Sequence, residues 1–120
     1  MLRVGTDLIE IVRIEEAVHR WGERFLEKIF TAEERTTYSE RISSLAARFA
    51  AKEAASKALG VPAGISFHEV EVIRDGGAPR LAFSGVAEGA ARALGVEKAH
   101  LTLTHDGGVA VAAVILEGTA

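Results

Sequence analysis

One stretch of the sequence repeats alanine at a helical spacing, and it strongly restricts the folds open to this chain. At about 100° per residue, five alanines fall on one arc that carries no charge, namely Ala47, Ala51, Ala54, Ala55 and Ala58. Side chains this small let a helix lie close against a sheet or another helix. The stretch therefore predicts a long central helix, capped by Ser43 or Ser44 and running to Leu59, with Gly60 at the C′ position.

Alternating and turn-forming segments flank this helix on both sides. Residues 2–11 alternate and predict a first strand, on which Asp7 shares a face with Ile9 and Ile11. The other predicted elements are a helix over about 14–21, a capped helix from Thr31 to about Tyr38, strands over 66–74 and 80–83, a helix from Ser84 and Gly85 to Gly95, and strands over 99–105 and 109–117. Hairpins separated by helices favour an α+β fold, a largely antiparallel sheet packed around one long alanine-rich helix, in one domain over residues 1–120.

Composition excludes several classes of function. The net charge of −3 is unlike that of a nucleic-acid-binding domain. No apolar run approaches the roughly 20 residues that cross a bilayer, and Arg3 and Asp7 interrupt the N-terminus too early for a signal peptide. The absence of cysteine rules out disulfides, thiolate nucleophiles and zinc–sulfur sites. We therefore expect a cytoplasmic protein that binds neither nucleic acid nor membrane.

The amide side chains are absent altogether. The chain contains no Asn and no Gln, has a single Met, and uses more Arg than Lys. Loss of thermolabile side chains is common in heat-adapted proteins, so we expect a thermophilic source. A genome whose base composition favours Ala, Gly and Arg codons is the alternative explanation.

The side of the predicted helix away from the alanines carries one acid among three cations. Glu53 and Lys57 are one turn apart, which is the spacing of a surface ion pair worth about 0.3–0.5 kcal/mol. The functional alternative is that the carboxylate holds a hard divalent ion while Arg48, Lys52 and Lys57 meet phosphate oxygens. On the strand over 99–105, His105 precedes a glycine-rich turn and is by itself more often structural.

Three segments, taken in order, resemble a known family. They are Val4–Ile11 (VGTDLIEI), Arg48–Gly60 (RFAAKEAASKALG) and Leu101–Asp106 (LTLTHD). In a chain of this length they resemble the short bacterial 4′-phosphopantetheinyl transferases, the holo-acyl-carrier-protein synthase family. The resemblance extends over essentially the whole chain.

The resemblance implies a Mg²⁺-dependent enzyme of fatty acid biosynthesis, which transfers 4′-phosphopantetheine from coenzyme A to a serine of acyl carrier protein and releases 3′,5′-ADP. It implies that Asp7 and Glu53 are the metal ligands, and Mg²⁺ is commonly held by one or two carboxylates together with substrate phosphates. By the same resemblance Lys57 contacts phosphate, and Arg48 and His105 lie near the phosphates of the coenzyme. Either Glu53 or a metal-bound water would accept the proton of the serine.

The resemblance also implies a homotrimer with active sites between neighbouring subunits. Arg13, Arg20, Arg24 and Phe25 are the candidates for contacting the acidic carrier protein, because Arg13 and Arg20 share one helical face. The alternative is a solvated charged face, since glutamates are interleaved with these arginines. Two rival functions are a catalytically silent module that binds carrier proteins and a different small enzyme acting on nucleotides.

Overall fold

The computed structural model of the protein describes residues 1–38 and 41–119. Its elements in chain order are β1 (Leu2–Glu10), α1 (Ile11–Trp21), α2 (Glu23–Ile29), α3 (Ala32–Tyr38), α4 (Ile42–Ala58), a 3₁₀ turn (Phe67–Glu69), β2 (Val70–Ile73), β3 (Arg80–Phe83), α5 (Gly85–Leu94), β4 (Lys98–Asp106) and β5 (Val109–Glu117). None of the helices in these two ranges is long and apolar enough to cross a membrane.

The strands form two antiparallel sheets. β5 lies between β1 and β4 in a three-stranded sheet, and β2 pairs with β3 in a two-stranded hairpin. The predicted mixture of helices with antiparallel strands is therefore confirmed. The two predicted hairpins, β2–β3 and β4–β5, also form where the sequence places them.

Helix α4 packs against the inner face of the three-stranded sheet. The five alanines named above are at most 4% exposed. Ala51, Ala54, Ala55 and Ala58 share a core with Ala112, Val114 and Leu116 of β5, whereas Ala47 packs in a second core that includes Ala110 of the same strand. A Cβ atom added to Gly5 of β1 would lie only 1.9 Å from the carbonyl oxygen of Ala54. Only glycine therefore permits β1 to approach α4 this closely, which brings the residues after Gly5 against the helix.

The alternation predicted for the first strand is correct for most of its length. Asp7 and Ile9 face α4, whereas Leu2, Val4 and Leu8 point outward and are 63–71% exposed. Ile11, expected on this strand, instead begins α1. Its N–H, which has no acceptor within the helix at this position, donates to the Gly108 carbonyl at 2.8 Å.

Three local predictions differ from the structure. Helix α2 was not predicted, since its seven residues bury only Leu26 and Ile29 and give little periodicity. Helix α4 begins before Ser43 and Ser44, and Leu45 N–H already donates to the Arg41 carbonyl at 3.0 Å, so neither serine caps it. Residues 67–69 form a 3₁₀ turn in place of the start of a strand, because Ser66 and Glu69 close a capping box around that turn.

The capping box predicted at the start of α3 is confirmed. Thr31 N–H donates to the Glu34 carboxylate at 2.9 Å, and Glu34 N–H donates back to the Thr31 hydroxyl at 3.3 Å. The helix then runs to Tyr38 as expected. Gly22 and Gly95 end α1 and α5 with positive φ angles of 56° and 78°, which favour glycine.

Candidate active site

Two acidic side chains from distant parts of the chain meet in one cleft. Asp7 lies on the inner face of β1, and Glu53 lies on the facing side of α4, where it is half-buried. Both line the same cleft, together with Arg13 and Phe49. Burial raises the pKa of Glu53, and the negative charge of Asp7 raises it further. The cleft therefore concentrates negative charge in a partly desolvated place.

Lys57 pairs with the strand acid and not with its helical neighbour. Its Nζ lies 3.0 Å from Asp7 Oδ1 and 3.0 Å from the carbonyl oxygen of Thr6. Among the described residues its ion pair is with Asp7, so the ordinary i,i+4 pair with Glu53 is not the arrangement adopted. An ammonium has three donors, and the half-exposed side chain of Lys57 has one left for an anion in the cleft.

The donor set of this cleft fits a magnesium ion. Across residues 1–38 and 41–119, no group of three or more Asp, Glu, His or Cys side chains is placed to hold a metal. Two carboxylates that repel each other suit Mg²⁺, which keeps several waters and completes its shell with substrate phosphates. Asp7 and Glu53 thus line one cleft, as a site with two carboxylate ligands requires.

Arg48 lies on a different side of α4 from Glu53. It is 3% exposed, its guanidinium lies 3.4 Å from the centroid of the Tyr38 ring, and its Nη1 donates to the Ser44 carbonyl at 3.2 Å. Burial lowers its pKa. Within the part of the chain that the structure describes, Nε and Nη2 are buried without a hydrogen-bond partner. Leaving buried donors unpaired is costly, so this guanidinium is suited to an anionic ligand.

His105 lies apart from the acidic cleft. It is exposed near the end of β4, opposite Ala110 of β5, and Ala110 is in turn opposite Ile9 of β1. Because β5 separates β4 from β1, the backbones of these strands are about 9–10 Å apart. The structure therefore does not place His105 beside Asp7 or Glu53.

The predicted carrier-binding residues lie on α1 and α2, at the mouth of the cleft and beyond it. Arg13 lines the cleft and also pairs with Glu10 at 3.4 Å. Arg20 is exposed, with its guanidinium 5.0 Å from the Trp21 ring. A separate groove is lined by Trp21, Arg24, Phe25 and Lys28. The four candidates thus line three separate surface depressions, and of these four residues Arg13 is the one that lines the acidic cleft.

Three neighbours of the site were not predicted as such. In the sequence Phe49 is one residue of the predicted long helix, Tyr38 is the predicted end of the helix before it, and Glu34 completes the capping pattern that begins at Thr31. In the structure Phe49 lines the cleft, Tyr38 stacks on Arg48, and Glu34 is buried against Lys52. The pattern Thr31–Glu34 was visible, but a capping glutamate is normally solvated, so nothing in the sequence indicated its burial.

Comparison with known proteins identifies the family. The model of the 4′-phosphopantetheinyl transferase superfamily matches residues 3–114. The chain belongs to this superfamily. The matched residues include the three segments that carry the sequence resemblance. These segments lie on β1, α4 and β4 and contain Asp7, Glu53 and His105, respectively.

Individual transferases are similar along nearly their whole length. The holo-acyl-carrier-protein synthase of Anaeromyxobacter dehalogenans is 52% identical, over 99% of this chain and 98% of its own. The crystal structure of Helicobacter pylori holo-acyl-carrier-protein synthase in complex with coenzyme A has a TM-score of 0.85 and 32% identity, covering 95% of this chain and 99% of that one. The Neisseria meningitidis synthase has a TM-score of 0.84 and 28% identity, with coverage of 96% and 97%.

Proposed function

We propose that this transferase is a holo-acyl-carrier-protein synthase, which moves 4′-phosphopantetheine from coenzyme A to a serine hydroxyl of apo acyl carrier protein and releases 3′,5′-ADP. The observation that carries the proposal is the meeting of Asp7, Glu53 and Lys57 at one cleft. Full-length similarity to synthases of that name, one of them solved with coenzyme A, supports it.

Asp7 and Glu53 are proposed to hold Mg²⁺, which when bound supplies positive charge at the pyrophosphate and polarises the phosphorus under attack. Lys57 holds the Asp7 carboxylate by its 3.0 Å contact and offers its remaining N–H to a phosphate oxygen. Arg48 Nε and Nη2, which have no hydrogen-bond partner among residues 1–38 and 41–119, are proposed to bind a further phosphate of the coenzyme. Together these side chains position the anionic part of the substrate and offset its charge.

A homotrimer, which the family resemblance implies, is proposed for this chain, and apolar side chains on the outer face of β1 and β5 support self-association. Leu2, Val4 and Leu8 are 63–71% exposed, and Ile115 on the neighbouring strand is 42% exposed. Contiguous apolar surface of this kind is typical of association sites. In such an assembly the active site lies between subunits, so His105 would contact the coenzyme bound at a neighbouring protomer's cleft.

Acyl carrier protein is proposed to dock on α1 and α2 through Arg13, Arg20, Arg24 and Phe25. All three arginines are exposed, while Phe25 is half-buried and lines the groove beside Trp21. Exposed arginines of this kind steer an acidic partner and fix its orientation. Arg13 also lines the acidic cleft, so a carrier docked there would present its serine to Asp7 and Glu53.

The cytoplasmic location and the heat adaptation stay predictions from composition. A thermal unfolding midpoint well above the roughly 45–65 °C of mesophilic domains would support heat adaptation. A midpoint within that range would favour genomic base composition as the reason for the missing amides. Cell fractionation, with a membrane marker for comparison, would test the location.

The decisive experiment is intact-mass spectrometry of apo acyl carrier protein incubated with this protein, coenzyme A and Mg²⁺, beside an EDTA control. A phosphopantetheine mass gain that needs the metal supports the proposal. Asp7→Ala and Glu53→Ala should abolish the gain, whereas Asp75→Ala should keep it, because Asp75 is exposed and pairs with Arg80 in the β2–β3 hairpin.

No mass gain on several folded carriers would refute the enzyme and favour the silent carrier-binding module of the same fold. The metal site speaks against that alternative, because a module that only binds carriers gains nothing from two repelling carboxylates. Carrier binding measured by calorimetry in the same samples would separate the module from a protein with no carrier partner. Turnover of coenzyme A without any carrier would instead favour a small enzyme acting on nucleotides.

The trimer is tested separately by light scattering. Val4→Lys places a charge on the outer sheet face and should reduce the mass from three subunits to one. Val86→Lys is the matched control, because Val86 is an exposed valine on α5 and lies outside that face. Equal masses for both variants would contradict the proposed interface.

A further inference from the structure

An ion pair is completely buried next to the active site. The Nζ of Lys52 on α4 lies 2.7 Å from the Oε1 of Glu34 on α3, and each side chain is only 1% exposed. Lys52 also donates to the carbonyl oxygens of Val70 (2.6 Å) and Phe67 (3.0 Å). All three donors of the ammonium are therefore used. Burial lowers the pKa of Lys52, and the charge of Glu34 acts against that shift.

The carboxylate of Glu34 is equally well bonded. Its Oε1 also accepts the Thr31 N–H at 2.9 Å, and its Oε2 accepts the Val72 N–H at 3.0 Å. The hydroxyl of Thr31 donates to the carboxylate of Glu71. One pair of side chains thus connects the start of α3, the middle of α4 and the segment Phe67–Val72.

This segment forms a wall beside Glu53. A cavity between it and α4 is lined by Lys52, Glu53, Ser56, Ile65, Ser66, Phe67 and Val70. The Phe67 ring stacks on Phe49, with centroids 5.6 Å apart, and Phe49 lines the cleft that holds Asp7 and Glu53. Any movement of the segment therefore changes the space around Glu53 on two sides.

Stability alone is a weak reason for such a pair. The desolvation of two charges often outweighs their attraction, and apolar side chains of similar size are frequently as stable or more so. The pair instead fixes the position of the segment. Its hydrogen bonds to the Phe67 and Val70 carbonyls and the Val72 amide are directional, so they hold the segment in one register against α4. Apolar packing has no such directional preference.

We infer that Glu34 and Lys52 are positioning residues for the transfer reaction, which hold the Phe67–Val70 wall in place beside Glu53. The inference rests on the proposed function, since it concerns the rate of that reaction. Neither residue touches the acidic cleft itself, and both act through the wall. A misplacement of about 1 Å at a reacting centre lowers rates by up to about 100-fold.

The test is the double variant Glu34→Met with Lys52→Met, which fills the same space without the hydrogen bonds. We expect a folded protein whose amides at residues 67–72 exchange hydrogen faster, above all Val72, which loses its acceptor. We expect kcat/KM for coenzyme A to fall at least about tenfold. The KM for acyl carrier protein should change less than twofold, because Arg13 lines the acidic cleft and not the wall cavity.

Leu116→Ala is the matched control for lost stability. Leu116 is fully buried in the core on β5 and does not line the wall cavity. At equal folded fraction this variant should keep the wild-type kcat/KM. A folded double variant with wild-type kcat/KM and wild-type exchange would overturn the inference while leaving the proposed function intact. Wild-type protein that transfers nothing refutes the function, and the inference with it.

A single substitution serves if the double variant does not fold. Glu34→Gln keeps the shape of the side chain and removes its charge, so the contact with Lys52 weakens without a cavity. We expect kcat/KM for coenzyme A to fall by about threefold or more, with faster exchange at Val72. Unchanged values in this folded variant would equally overturn the inference.

Discussion

Replacing Gly5 by alanine tests whether the close approach of β1 to α4 builds the active site. The added Cβ would lie 1.9 Å from the Ala54 carbonyl oxygen and 2.9 Å from the Ala58 amide nitrogen. Ordinary carbon–oxygen contacts lie near about 3.3 Å. Both obstacles are backbone atoms of buried residues of α4, so no rotamer change relieves the overlap. The strand and the helix must therefore separate by more than about 1 Å.

This separation has two measurable consequences. Overpacking a core costs about 1–3 kcal/mol, which for a chain of this size lowers the unfolding midpoint by about 4 °C per kcal/mol. Asp7 follows Gly5 by two residues on the same face of β1 and moves with it, while Glu53 stays on α4. A change of about 1 Å between them would lower activity by up to about 100-fold and raise the Mg²⁺ concentration needed for half-maximal transfer.

The assay combines thermal unfolding, followed by circular dichroism, with a Mg²⁺ titration of carrier modification at a temperature where both proteins are folded. Gly89→Ala on α5 is the control, because a Cβ there meets nothing within 4 Å; it should keep activity and gain up to about 1 kcal/mol from helix propensity. A Gly5→Ala protein with the wild-type midpoint and Mg²⁺ dependence would refute the reasoning.

Three further changes have defined outcomes. Burial, and then the charge of Asp7, raises the pKa of Glu53. Between the pKa of Glu53 in the unfolded chain and its higher pKa in the metal-free native state, the native protein keeps a proton that the unfolded chain has lost. The free energy of unfolding therefore falls as the pH rises through this range. Glu53→Gln should remove this pH dependence of the free energy of unfolding, measured by urea titrations at several pH values, and should abolish transfer. An unchanged pH dependence in the variant would contradict its assignment to Glu53. Arg13→Ala should raise the KM for acyl carrier protein several-fold and less so at high salt, whereas Arg92→Ala, an exposed arginine on α5, should not. Lys57→Met should raise the KM for coenzyme A about tenfold or more, as expected for a charged hydrogen bond of about 1.5–3 kcal/mol, and a twofold change or less would count against phosphate binding.

Patterns that depend on neighbouring residues were read correctly from the sequence. The alternation around Asp7, the capping box of Thr31 and Glu34, and the glycine-terminated helix ends all involve contacts within a few residues. The short helix α2 lacks such a pattern, because seven residues with only Leu26 and Ile29 buried produce little periodicity. The 3₁₀ turn at residues 67–69 combines a local contact with a distant one. Its capping glutamate, Glu69, accepts the N–H of Ser66 and also the N–H of Val86 at the start of α5.

Charges on α4 were harder to interpret. The sequence places Arg48 and Lys52 outside the alanine face, as cations that could meet phosphate oxygens, yet they are only 3% and 2% exposed. Their burial depends on Tyr38 and Glu34, which lie on another helix and supply a ring face and a carboxylate. A sequence window that contains only α4 holds neither partner, so periodicity alone favours the exposed assignment.

The sequence by itself determined the elements, the class of fold and, through three motifs, the family and the side chains with which a transferase would work. Only the tertiary structure decided which of them meet. Asp7 and Lys57 form a 3.0 Å pair next to Glu53, whereas His105 lies two strands away from Asp7. The physical reason is that local propensity acts over a few residues, while the distance between a strand and a helix is set by packing. Here that distance depends on one missing Cβ at Gly5.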